Sequence, residues 1–255
     1  MKTRYNLIIF TIAEEERKDI RKRKEKTLQV LMDQKDQFPI FDVDEGKSLR
    51  DTAYEKASEI LGTQNLYIEQ LYTWSDPKYY EEEPQIIITY LVTVNQNLVK
   101  KLKDEYQFFR IQLIEQERDL KRKIQEVKLS NEKKQTSYRI FTKNEEWHGN
   151  VIYQNEIEDS EQVNLLTATI LHTAIKRMRH RIENTKLAFH FLEEEFTLSE
   201  LQQVYELLLD RKLEKANFRK KIEPMVKKTN RVISEAAYRP AQAYRYNDQY
   251  VIYWV

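Results

Sequence analysis

Residues 196–224 read FTLSELQQVYELLLDRKLEKANFRKKIEP, and two helices are written into them. Thr197 stands three residues before Glu200, the spacing at which a threonine side chain accepts from the N3 backbone N–H while the glutamate reaches back to the cap. Leu201, Val204, Tyr205 and Leu208 follow at spacings of three and four, one face of a helix predicted over 198–209. After the turn RKL, the run EKANFRKKIEP predicts a second, shorter helix with Phe218 and Ile222 on its inward face, stopped or kinked by Pro224. RVISEAAYRPAQAYRYN, residues 231–247, then reads as two strands about a turn containing YRPA. Helix, turn, helix and hairpin make a winged helix-turn-helix.

This segment is locally basic. From Arg211 to Arg231 the cations are Arg211, Lys212, Lys215, Arg219, Lys220, Lys221, Lys227, Lys228 and Arg231, opposed by Glu214 and Glu223. Phosphates need such an excess. On the second helix Asn217, Arg219 and Lys220 point away from the Phe218/Ile222 face. Asn and Arg are the side chains that bond adenine and guanine edges bidentately. The candidate DNA contacts are Lys215, Asn217, Arg219, Lys220 and Lys221, with Arg239 and Arg245 on the wing. The competing reading is a solvated helix face.

Upstream, YNLIIFTI, TLQVLM, YIEQLYTW and QIIITYLVTV read as strands, and residues 47–61 as a helix whose Leu49, Ala53, Ala57 and Ile60 form one apolar stripe closed by Gly62. Between 107 and 160, QFFRIQLIEQERDL, TSYRIFTK and WHGNVIYQNEIE read as three further strands, with the charged stretch KRKIQEVKLSNEKKQ as separator; IEQERDLKRKIQEVKL reads equally as a charged helix. A helix over about 163–182, apolar first and basic later, is a natural connector. The class is α+β, divided as 1–162, a connecting helix and linker at 163–195, and 196–255.

Composition excludes several chemistries. The 255 residues suffice for two compact units. With 43 basic and 42 acidic residues the net charge is +1, so attraction to a polyanion must be local. The absence of cysteine removes thiolate sites and disulfides and fits a cytoplasmic address. Three glycines leave no room for a Gly-rich phosphate loop. The apolar run 5–12 is too short to span a bilayer, so no membrane is expected. His148, His172, His180 and His190 show no metal-ligand spacing.

LAFHFLEEEFTLSELQQVYELLLDRKLEKANFRKKI, residues 187–222, resembles the C-terminal signature of the Nudix-related transcriptional regulator family (NrtR-like). YRPAQAYRYN is similar to that family's GRPA-x-x-Y-R wing, with Tyr238 in the glycine slot. YIEQLYTWSDP and IIITYLVTV resemble its Nudix domain. The resemblance implies an N-terminal Nudix-like α/β/α sandwich, a homodimer, double-stranded DNA carrying inverted half-sites as partner, and a small anionic, nucleotide-like or sugar-derived metabolite as effector.

Against that family, DEGKSLRDTAYEKASEILG, residues 44–62, belongs to a degenerate Nudix box. The pattern G-x5-E-x7-R-E-U-x-E-E-x-G-U holds divalent metal on carboxylates sharing one helical face. Here Phe41 fills the first glycine slot, Lys47 the first glutamate, Glu55 the arginine, Lys56 the next glutamate, and Ile60 one of the final pair. Glu59 and Gly62 survive. The expectations are no catalytic residue, no metal and no cofactor. Lys56 and Glu59 become candidate ligand contacts, Lys56 acting as a built-in cation or merely solvating an idle helix. The resemblance also places Tyr72 and Trp74 at a ligand cleft, where they stack on a base or sugar or serve as core. The alternatives to a DNA-binding regulator are a hydrolase of ADP-ribose or a related nucleoside diphosphate derivative, and a DNA-binding protein whose Nudix fold serves only for dimerisation.

Overall fold

The computed structural model describes residues 2–15, 25–44, 46–79, 83–100, 102–118, 122–147, 150–158, 163–233 and 240–250. The N-terminal part is built on strands β1 (Lys2–Glu15), β2 (Glu25–Asp33), β3 (Ile40–Asp42), β4 (Tyr67–Trp74), β5 (Gln85–Thr93), β6 (Tyr106–Arg118), β7 (Arg122–Ser130), β8 (Gln135–Trp147) and β9 (Asn150–Glu158), with α1 (Leu49–Leu61) between β3 and β4. They form one mixed sheet in the order β4-β5-β1-β2-β6-β7-β8-β9, with β3 paired to β1. β1 runs parallel to β5 and antiparallel to β2.

The continuous apolar run of β1 follows from its central position, since both faces are covered. Tyr5, Leu7 and Ile9 face α1, whose Ala53, Ala57, Ile60 and Leu61 fill one core with Leu31, Tyr90 and Val92. Ile8, Phe10 and Ile12 face the opposite way. Each such large apolar side chain contributes about 1.5–3 kcal/mol on burial. Ser48 caps α1 by accepting from the Asp51 N–H at 3.2 Å. Gly62 ends it at φ 65°, a left-handed conformation in which a Cβ would meet Lys100 Cβ at 3.2 Å.

The region 107–160 differs from expectation. The charged separator KRKIQEVKLSNEKKQ is itself mostly strand: β7 buries Gln125, Val127 and Leu129 and turns Glu126 and Lys128 outward. One face packs on the core and the other is solvated, as antiparallel sheets allow. Only Asn131–Lys134 remain as the turn, where Asn131 Oδ1 accepts from the Lys133 and Lys134 N–H groups at 2.9 and 2.8 Å. There is no helix in this segment among the described residues; His148 lies outside them.

The helix expected at 163–182 is α2 (Leu165–Arg181), capped by Asn164 on the Thr167 N–H at 2.8 Å. It covers the second sheet face through Ala168, Leu171, Ala174, Ile175 and Met178. α2 also binds in two directions: Arg177 donates to the Leu71 carbonyl at 3.1 Å and Arg181 to Glu69 at 2.7 Å, while Arg179 donates to the Leu208 carbonyl at 3.1 Å and to Asp210 at 3.2 Å. It is thus part of the core as well as a connector.

Beyond it come β10 (Phe196–Thr197), α3 (Leu198–Leu209), α4 (Lys215–Ile222), a 3-10 turn at Glu223–Met225, and the hairpin β11 (Val226–Ile233) and β12 (Ala241–Tyr246), sheet order β10-β12-β11. The capping box is present: Thr197 Oγ1 accepts from the Glu200 N–H at 3.1 Å and Glu200 accepts from the Thr197 N–H at 2.7 Å. Removing such a cap costs about 1 kcal/mol. Leu201, Val204, Tyr205, Leu208, Phe218 and Ile222 are buried as their spacing requires, in a core continuous with the second sheet face.

Candidate nucleic-acid interface and effector-domain residues

The short helix α4 starts on Glu214, whose carboxylate accepts from the Ala216 and Asn217 N–H groups at 2.9 and 2.7 Å. These backbone bonds hold the Glu214 pKa below the ordinary carboxylate range. One of the two anions of the basic segment is therefore committed to capping. Phe218 and Ile222 anchor the helix, Phe218 edge-on to Tyr205 with centroids 5.3 Å apart. This orientation leaves Lys215, Asn217, Arg219, Lys220 and Lys221 exposed on the outer face.

The cations fall into two sets. Lys212 pairs with Glu206 at 2.8 Å, Lys221 with Glu183 at 2.8 Å, Arg231 with Glu195 at 3.2 Å, and Arg211 lies 3.8 Å from Glu183. Lys215, Arg219, Lys220 and Lys228 make no ion pair among the described residues. Lys215 and Arg219 line a groove of about 290 Å³ with Thr197, Ser199 and Gln202 of the α3 start and Gln242 and Tyr244 of β12. Lys228 stands opposite Tyr244 in the hairpin register, so the unpaired charge converges on one side. Arg245 is exposed and stands opposite Lys227, on the other hairpin face from Tyr244. Arg239 lies outside the described residues. The sequence reading missed Glu183, which sits on no recognisable motif and meets Lys221 only through the fold.

In the N-terminal domain the degenerate box is a lattice of ion pairs. Lys47 bonds Glu55 at 2.5 Å, and Glu59 accepts from both Lys56 at 2.8 Å and Lys103 at 2.6 Å. The two ammonium groups hold the Glu59 carboxyl down to about 2. Lys56 also sits over the Phe41 ring, 5.0 Å from its centroid. Ile60, in a former carboxylate slot, is buried against the sheet. Among the described residues no three acidic or histidine side chains are grouped to hold a metal.

The structure does not bring the four candidate ligand residues together. Lys56 and Glu59 belong to α1 on one face of the sheet, whereas Trp74 belongs to the core on the other. Trp74 is also corrected from a stacking platform to core: it is 6% exposed and its Nε1–H donates to Thr89 Oγ1 at 2.8 Å. Tyr72 does stand free, 54% exposed, with its ring 4.7 Å from that of Trp74. A register shift between Gln70 and Tyr72 sets these positions, which alternation alone does not foresee.

Comparison with known proteins agrees with this architecture. Residues 188–246 match the family model described as the NrtR DNA-binding winged helix domain. A 108-residue stretch is 32% identical to the ADPR responsive transcriptional repressor NtrR of Acinetobacter baylyi; it covers 37% of this chain and 43% of that relative, less than half the length of either. The crystal structure of Shewanella oneidensis NrtR complexed with a 27mer DNA is similar over 96% of this chain and 93% of that one, with TM-score 0.65 and 17% identity. A MutT/nudix family protein from Enterococcus faecalis is similar over 96% of this chain and 88% of its own, with TM-score 0.65 and 16% identity. These two likenesses concern the fold. Residues 188–246 thus match a winged helix domain of the NrtR type, on a chain whose fold is that of the NrtR and MutT/nudix structures.

Proposed function

We propose that the protein is a DNA-binding transcriptional regulator whose N-terminal domain senses a nucleotide-like metabolite and hydrolyses nothing. The observation that carries this reading is that Lys215 and Arg219, free of ion pairs among the described residues, line a groove between α3, α4 and β12, with Lys228 opposite its Tyr244, in a segment matching a DNA-binding winged helix model. Excess cations on a helix held away from the core suit a phosphate backbone, and Asn217 beside them suits a base edge. The 32% identical relative is named as ADPR responsive, which supports a nucleoside diphosphate sugar as effector class.

A two-fold homodimer on inverted half-sites fits one such reading helix per chain. Cytoplasmic residence fits this role, and no helix among the described residues is long and apolar enough to cross a membrane. Lysines at two former carboxylate slots and a buried isoleucine at a third speak against a metal-dependent hydrolase.

The test is fluorescence anisotropy on duplex DNA from the protein's own upstream region and on a scrambled duplex, over a salt series. Affinity that falls linearly with log salt and favours the genomic duplex is expected. Equal, salt-independent binding of both duplexes, or none, rejects the reading.

A further inference from the structure

The hairpin of the C-terminal domain carries a lock at its centre. Between the pairs Lys228–Tyr244 and Val232–Gln242, three residues of β11, Thr229, Asn230 and Arg231, stand against the single Ala243 of β12. The surplus makes a bulge, which takes backbone groups out of the ladder and re-aims side chains. Gln242 gathers those groups. Its Nε2 donates to the carbonyls of Thr229 at 2.7 Å, Ala243 at 3.0 Å and Arg231 at 3.2 Å. Thr229 closes the other side: its Oγ1 accepts from the Arg231 N–H at 3.3 Å and donates to the Ala243 carbonyl at 3.4 Å. With carbonyls all around its nitrogen, the Gln242 amide cannot turn over without setting oxygen against oxygen.

An exposed glutamine held in this way gives up rotamer freedom that it would keep in solvent, so the fixed backbone calls for a reason. Edge protection is one, since β11 is the outer strand of its sheet. The position of the bulge favours another. Cross-strand partners point to the same side, so Lys228, Val232, Gln242 and Tyr244 share one hairpin face. Gln242 and Tyr244 line the groove together with Lys215 and Arg219 of α4. What the lock presents beside that groove is Asn230, exposed and without a hydrogen bond among the described residues. Its neighbour Arg231 is drawn aside to Glu195 at 3.2 Å.

We propose that Asn230 is a second base-reading residue, held by Gln242 against the minor groove next to the major groove that α4 enters. Grooves alternate along a duplex, so a hairpin beside a major-groove helix meets the phosphate ridge and then the adjacent minor groove. A neutral amide adds no charge for phosphates; it pairs with base edges. The minor groove shows acceptors alone at A·T and T·A and adds a guanine amino donor at G·C, so Asn230 separates A·T from G·C without telling A·T from T·A. Gln242 is a positioning residue that acts through the bulge. The proposal rests on the reading of the C-terminal domain as DNA-binding.

The test is a binding competition on the duplex from the protein's own upstream region, with each base pair substituted in turn, for the full chain as wild type, Asn230→Ala, Gln242→Met and the double variant. Wild type should show a position, beside the bases that respond to Asn217→Ala, where A·T equals T·A and G·C differs from both by about fivefold or more. Asn230→Ala should flatten that position alone and leave the salt slope unchanged, because no charge is removed. Gln242→Met keeps the length and removes the donor. It should flatten the same position, and the double variant should be no worse than Asn230→Ala, as residues acting as one unit require. An intact profile in folded Asn230→Ala means that the bulge only protects the edge and overturns the proposal. Flattening by Asn230→Ala with an intact profile in Gln242→Met overturns the positioning role. A position that tells all four base pairs apart and is lost in Asn230→Ala overturns the minor-groove assignment. Should Gln242→Met fail to fold, Asn230→Ala decides, since its side chain is exposed and bonds nothing. Wild type that binds the duplex without any such position overturns this inference alone; wild type that does not bind overturns the DNA-binding reading as well.

Discussion

Glu183, two residues past the end of α2, accepts from the Lys221 ammonium at 2.8 Å and stands 3.8 Å from the Arg211 guanidinium. On the DNA-binding function proposed above, this one carboxylate competes with phosphates for both cations. Glu183→Gln should tighten DNA binding severalfold at low salt and steepen the plot of log affinity against log salt by about one phosphate contact. Anisotropy titrations at four or more salt concentrations measure both. An unchanged slope would mean that neither cation reaches the duplex.

Lys220 and Asn217 are both exposed on α4, yet they should fail differently. Lys220→Ala should weaken binding to every duplex alike and lower the salt slope by about one. Asn217→Ala should relax preference at a single base position by about 1–3 kcal/mol and leave the slope alone. Competition against a library of single-base operator variants separates the two patterns.

Magnesium should not turn the protein into a hydrolase. Glu59 is held by Lys56 and Lys103, and a divalent ion entering there would meet two ammonium groups before it met a carboxylate. Incubation with ADP-ribose and millimolar magnesium or manganese, followed by chromatography, should return the ligand intact. Turnover abolished by Glu59→Gln would show a working metal site.

His172 on α2 gives a pH signature. Burial, with Lys176, Lys123 and Arg179 nearby, pushes its pKa down from 6.5 to about 4. The unfolded chain therefore takes up a proton that the folded chain refuses between those values. Stability is fully present above pH 6.5 and lost as pH falls toward 4, on the order of 3 kcal/mol. Glu59, lowered from 4.5 to about 2, contributes stability present above 4.5 and lost only below it. Urea denaturation at pH 7 and 5 should thus report His172, and His172→Gln should flatten that interval.

Much of this was legible because local chemistry and global packing agree. The Thr197/Glu200 box, the Gly62 cap and the 3.6-residue stripes of α1, α3 and α4 are set by neighbours in the chain. β7 was not, because charges at every second position obscure the buried Gln125, Val127 and Leu129. Nor was the division of Lys56 from Trp74, which depends on which sheet face each element covers. Arg4 and Asn6 did leave a trace: two polar residues in alternation at the head of an apolar central strand. Only the packing shows that the Arg4 Nε–H and the Asn6 side-chain oxygen are buried without a bond.

The arginines of α2 alternate in their attachments, Arg177 and Arg181 to β4 and Arg179 to the end of α3, across a core that runs unbroken from Phe10 to Phe218. The sheet domain and the winged helix are therefore expected to melt in one transition. A ligand at one hundred times its Kd on the sheet adds about 2.7 kcal/mol to the folded state as a whole, and the wing and α4 inherit that increment although they never touch it. On the function proposed above, the heat resistance of α4 and the hairpin would then gauge how much effector is bound.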